Sequence, residues 1–142
     1  MENFTFDTME YVRPDYAHMK KVWEEATKYI QNAKEYADVK AAMKRVEEEN
    51  SHLITMNSIC SIRNTLNTTD EFYEKELEYN QTTYPTVMET EIEYERAVLE
   101  SAFAQDVEKE YGKEILLNYQ QDLDSFNPAL VPFMQKEAEL TT

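Results

Sequence analysis

The stretch IRNTLNTTDEFYEKE (62–76) decides how this chain folds. An apolar run ends at Ile62, a short polar segment follows, and a new helical pattern begins with Phe72 and Tyr73. Thr68 and Glu71 have the spacing of a capping box, in which the threonine takes an orphan backbone N–H and the glutamate reaches back. Asp70 adds a negative charge at the positive end of the helix. The segment is therefore a helix stop, a turn and a helix start.

Upstream, Val39, Ala42, Met43, Val46, Leu53, Met56, Ile59, Cys60 and Ile62 form one broad apolar face. They predict a long second helix from Asp38, as its cap, to about Leu66. A first helix begins at Pro14 and Asp15 and runs to about Ala33, with Ala17, Val22, Trp23, Ala26, Tyr29 and Ile30 inward. Before it, Phe4, Phe6, Tyr11 and Val12 suggest an extended arm packed by its aromatic rings. Downstream, Phe72, Tyr73, Leu77, Tyr84, Val87, Met88, Ile92, Tyr94, Val98 and Leu99 predict a third helix, kinked near 81–84 by Pro85. A fourth helix over 103–111 stops at Gly112, the only glycine. A fifth follows over 113–125, and Asn127-Pro128 opens a sixth over 129–139. The fold class is all-α: about six helices in one domain over 1–142, arranged as a long antiparallel hairpin or bundle. Leu140-Thr141-Thr142 reads as a cap with no helix behind it, so the chain is expected to be a fragment of a longer one.

Composition agrees. One Gly and four Pro among 142 residues leave little material for tight β turns. The 42% of hydrophobic residues is enough for a core. A formal net charge of −15 argues against nucleic acid and against an anionic membrane surface. Cys60 is the only cysteine, which fits a reducing compartment. The opening MENFTFDTMEY has neither the basic nor the apolar region of a secretory signal, and no apolar run is long enough to span a membrane. The expected location is the cytoplasm.

Catalytic equipment is sparse. Asp15/His18 and Glu49/His52 are two acid-x-x-His pairs, the spacing found in di-iron carboxylate bundles. With 29 acidic residues in 142, such a pair arises by chance about one time in five, and surface histidines are the competing reading. Zinc-protease, P-loop, dinucleotide and serine-nucleophile patterns are missing. Cys60 on an apolar face reads as a buried, inert thiol. Arg63 follows the apolar face of the second helix, and a partly buried ion pair with Glu74 or Glu76 competes with simple exposure at a helix C-terminus. Glu91 and Glu95 interrupt the apolar face of the third helix and need a partner, for which His52 and Lys44 are candidates. The ten tyrosines read as core and helix-contact residues, with an aromatic peptide groove as the alternative.

As a string, the opening stretch resembles the M3 family of zinc metallopeptidases, in its oligoendopeptidase F branch. Members carry an Ile-Arg-x-Thr-Ile-Asp-Thr-x-Asp-Glu-Phe-Tyr run in their N-terminal half. Ile62, Arg63, Thr65, Thr68, Asp70, Glu71, Phe72 and Tyr73 match it, while Leu66 and Asn67 replace Ile and Asp. Tyr11-Val12-Arg13-Pro14-Asp15 is similar to the family's opening Tyr-x-Arg-Pro-Asp, and Pro85, Leu99-Glu100-Ser101, Tyr111-Gly112 and Phe126-Asn127-Pro128 fall in the expected order.

The resemblance implies a mostly helical fold in two halves around a deep channel, where a zinc-bound water cleaves short peptides. The zinc ligands and catalytic glutamate of His-Glu-x-x-His would lie far downstream. No catalytic, cofactor or metal residue therefore transfers to this chain; the matched residues Arg63, Thr68, Asp70, Glu71, Phe72 and Tyr73 are a structural motif. The implied role is one wall of the channel, inactive alone. Its partners would be the C-terminal catalytic part of the same polypeptide and short peptide substrates. Exposed apolar surface would favour self-association. A free-standing helical interaction module is the alternative from another class.

Overall fold

Asp15 starts the first helix by accepting a hydrogen bond from the His18 backbone N–H at 3.0 Å. Pro14 lies just before this cap rather than inside the first turn. The computed structural model describes residues 9–127, and α1 spans Tyr16–Gln31. Tyr16, Met19, Val22, Trp23, Ala26 and Ile30 are buried at helical spacing, whereas Ala17 and Tyr29, expected inside, face outward.

The second helix, α2, spans Tyr36–Leu66. Its 31 residues give a rod about 46 Å long. It starts two residues earlier than expected, because Asp38 acts from the first turn, accepting from the Lys34 N–H at 3.1 Å. Val39, Ala42, Met43 and Val46 bury its first half, and Met56, Ile59 and Cys60 its second. The turn closes with the Asn67 N–H donating to the Arg63 carbonyl and the Asp70 N–H to the Asn67 carbonyl.

The third helix, α3, spans Glu71–Thr83 and is capped by Asp70, whose side chain accepts from the Phe72 N–H at 2.9 Å. The cap is thus Asp70 and not Thr68, which is exposed in the turn. Pro85 does more than kink this helix. A 3₁₀ turn over Tyr84–Thr86 ends α3, and a separate α4 runs over Met88–Glu100. Proline removes one backbone donor and crowds the preceding turn, and here the chain resolves both by stopping and restarting. The remaining helices, α5 (Ala104–Tyr111) and α6 (Lys113–Ser125), meet at Gly112. Its φ of +96° is open to glycine at little cost.

The described residues thus form six α-helices and one 3₁₀ turn, with no strand. The predicted sixth helix over 129–139, the terminal Leu140-Thr141-Thr142 and the arm residues Phe4 and Phe6 lie outside them. Helix α1 packs against both α2 and α4, α6 packs on α4, and α3 packs on α2. Trp23, Val22, Val39, Val98 and Val107 are enclosed almost completely where these helices meet. No described helix is long and apolar enough to cross a membrane.

Candidate functional site

The inward face of α3 is polar. Residues three and four apart share one side of a helix, so Tyr73, Glu76 and Asn80 line up towards α2 and the N-terminal arm. Glu76 and Asn80 are buried, and buried polar groups need partners. Arg13 supplies one: its Nε donates to Glu76 Oε1 at 3.0 Å and its Nη2 to Oε2 at 2.5 Å. The Tyr11 hydroxyl adds a third bond to Oε1 at 3.0 Å. Arg13 also lies over the Tyr79 ring, 4.0 Å from its centre. The bonds from Arg13 hold the Glu76 carboxyl below the usual carboxylate range despite its burial.

The network continues inward. The Tyr16 hydroxyl donates to Asn80 Oδ1 at 3.0 Å and accepts from Asn57 Nδ2 at 3.2 Å. One polar chain therefore links the arm, α1, α2 and α3. Burial pushes the Tyr11 and Tyr16 hydroxyls up, so both stay neutral donors.

The motif residues of the opening stretch hold this arm in place. Arg63 donates to the Tyr73 hydroxyl at 2.9 Å and to the backbone carbonyl of Met9. Glu76, a proposed partner of Arg63, is occupied by Arg13 instead. Phe72 is half exposed and meets Tyr11 and Tyr73 edge-on, at 6.3 and 4.9 Å between ring centres. Glu71 is exposed beside Lys75 at 3.8 Å. Sequence reasoning missed Arg13, Tyr16, Asn57 and Asn80 as a network. The available signal was Glu76 and Asn80, one turn apart on a face that should have been apolar.

Beside the network lies an open groove of about 590 Å³, lined by Leu53, Ile54, Asn57, Asn80, Tyr84 and Glu91 among others. Its lining mixes apolar side chains with polar ones such as Asn50 and Gln81, which suits an extended peptide, whose backbone both donates and accepts hydrogen bonds. Burial raises the Cys60 thiol, whose Sγ contacts the Tyr73 carbonyl at 3.6 Å, so it is no nucleophile. The His18 side chain meets Glu49 at 3.3 Å, and His52 is exposed. Among the described residues, no three His, Cys, Asp or Glu side chains are placed to hold a metal ion. Neither the di-iron reading nor a zinc centre fits them.

Glu91 and Glu95 are inside, as their interruption of the apolar pattern implied, but their partners are neither His52 nor Lys44. The Tyr84 hydroxyl donates to Glu91 Oε1 at 2.5 Å. Glu95 faces Asp122 of α6. Burial first, then Asp122, pushes the Glu95 carboxyl up to about 9, so it holds its proton at neutral pH. Burial likewise raises Glu91.

Residues 6–126 match the family described as the peptidase M3 N-terminal domain. Solved structures agree. A protein described as an oligoendopeptidase F is similar at a TM-score of 0.89 and 33% identity, over 97% of this chain and 24% of its own. PZ peptidase A, solved with an inhibitor, is similar at 0.90 and 30%, over 96% and 24%. An oligoendopeptidase F from Bacillus anthracis strain Ames gives 0.90 and 28%, over 99% and 26%. This chain spans about a quarter of the length of each. No curated protein sequence matches it.

Proposed function

Because the chain belongs to the family of peptidase M3 N-terminal domains, we propose that it forms one wall of the substrate channel of an oligoendopeptidase F-like zinc peptidase. The observation that carries this reading is the near-complete superposition of the chain on a quarter of whole peptidases at 28–33% identity. The residues that form the arm network and the groove contain no zinc donor set and no activated nucleophile. The chain's contribution is then to bind and orient. The Asn50, Ser61 and Gln81 side chains that also line the groove offer hydrogen bonds to a peptide backbone, and Leu53 and Ile54 offer apolar contact. Cleavage belongs to the catalytic portion, and both that portion and short peptides are its partners.

The test is peptide hydrolysis. The 142-residue chain with added zinc leaves an internally quenched short peptide uncut. PZ peptidase A loses activity on the same peptide when its corresponding quarter is deleted. Zinc-dependent cleavage by this chain alone, or full activity of the deleted peptidase, would overturn the proposal.

A further inference from the structure

The N-terminal arm is attached through side chains. Among the described residues, no backbone–backbone hydrogen bond ties residues 9–14 to the helices. Arg13 and Tyr11 hold the arm on Glu76, Arg63 holds the Met9 carbonyl, and the Asn80 amide donates to the Tyr11 hydroxyl at 3.4 Å. The Val12 N–H donates to the Met56 sulfur at 3.1 Å, and the Tyr79 hydroxyl donates to the Pro14 carbonyl at 3.4 Å. Val12 is nevertheless 52% exposed, and the Arg13 side chain 56%. A segment held by partly solvent-facing bonds, with little apolar burial of its own, belongs to the least stable end of a fold.

What the arm covers lies apart from the main core. That core runs from Tyr16 to Val107 and includes Trp23, Val39 and Val98. Met56, Ile59 and Cys60 are as buried as its members but do not belong to it. They form a satellite on the second half of α2, facing α3 beside the buried Glu76 and Asn80. Cys60 is fully enclosed, with its Sγ against the Tyr73 carbonyl and within reach of the Tyr11 hydroxyl and the Asn80 amide. Tyr11 stands edge-on to Tyr73, with 5.8 Å between ring centres, so the arm's tyrosine closes over the thiol.

We infer that the arm is a detachable strap: residues 9–14 lift from α2 and α3 as a unit while the main core stays folded, uncovering Glu76, Asn80 and Cys60. The strap ends at Pro14. Behind it, Asp15 caps α1 with its side chain, and Tyr16 already belongs to the main core. Helix α1 keeps its packing on α2 and α4 when the strap lifts. Cys60, the only cysteine, reports the lifted state. The strap does not depend on the channel-wall reading.

The experiment is iodoacetamide labelling of Cys60 in the whole chain, followed by mass spectrometry at fixed pH in rising urea. Lifting the strap exposes little surface, so labelling in dilute urea is slow and nearly independent of urea, and it joins the global unfolding line only near the transition. Arg13→Ala speeds labelling in water by about tenfold. Tyr11→Phe, which keeps the ring and loses the hydroxyl bonds, speeds it by about threefold. Val107→Ala, in the main core on α5, lowers the urea midpoint and leaves the labelling rate in water unchanged. Labelling that follows global unfolding at every urea concentration overturns the inference. So does an Arg13→Ala rate equal to wild type, or a Val107→Ala rate that rises in step with its lost stability. Wild-type labelling as fast as in the unfolded chain overturns it too, since the strap would then never close. If Val107→Ala does not fold, the urea dependence of the wild type decides alone.

Discussion

Arg13 and Glu76, 63 residues apart in sequence, form a two-point ion pair in which each carboxylate oxygen accepts one guanidinium N–H. The pair joins the N-terminal arm to α3. Glu76 is nearly enclosed while Arg13 is more than half exposed, so the interaction is open to solvent from one side only.

Glu76→Gln tests that clamp. The amide keeps the bulk but loses the charge that binds Arg13. Because Arg13 can rehydrate, the cost at pH 7 should be about 1–2 kcal/mol, below that of a fully buried pair. Its folded-state carboxyl is depressed, so the stability it contributes is present above the unfolded value and lost as pH falls. Denaturant melts of wild type and variant should differ at pH 7 and converge below about pH 4.

Glu95 titrates in the opposite sense. Its carboxyl is raised from 4.5 to about 9 among Glu91 and Asp122, with Tyr84, Tyr94 and Tyr119 nearby. Between these values the unfolded chain has released a proton that the folded chain retains. Stability therefore falls with rising pH across that window, by up to about 1.4 kcal/mol per unit. Glu95→Gln removes this slope and can donate to Asp122. Its melting temperature should exceed wild type most at pH 8 and least near pH 5. An equal difference at both values would contradict the assignment.

The start of α3 separates two caps. Asp70→Ala removes the acceptor for the Phe72 N–H and should cost about 1 kcal/mol. Thr68→Ala, in the exposed turn, should cost less than about 0.5 kcal/mol. Chemical denaturation of both variants distinguishes them, and a larger loss for Thr68→Ala would restore the capping box.

Gly112→Ala probes backbone alone. A Cβ at Gly112 meets nothing within 4 Å, so no clash contributes. The positive φ does, and the variant should lose about 1–2 kcal/mol with its far-ultraviolet helical signal intact below the transition.

Much of this was legible in the chain. The all-α class follows from one glycine and unbroken helical spacing. The ends of α5 and α6 follow from Gly112, and the end of α2 from the polar run after Leu66. These are local effects, set by backbone conformation and by side chains within one turn. Pro85 was recognised, but whether a proline kinks or ends a helix depends on what the freed groups meet. Here Pro85 and Val87 are buried between helices, and the chain restarts. The first cap was misplaced for a similar reason: Thr68 and Asp70 both qualify by type, and only the path of the turn chooses.

The sequence by itself determined the all-α class, the bounds of α1, α2, α5 and α6 to within a few residues and the acidic, glycine-poor character of the molecule, because each depends on composition or on neighbours a few residues away. Only the tertiary structure decided which buried polar group meets which. Glu76 finds Arg13 rather than Arg63, Asn80 finds Tyr16, and Glu95 finds another carboxyl instead of a cation. Those choices span up to 64 residues, and no local periodicity encodes a partner across that distance. They depend on which helix faces the hydrophobic core brings together.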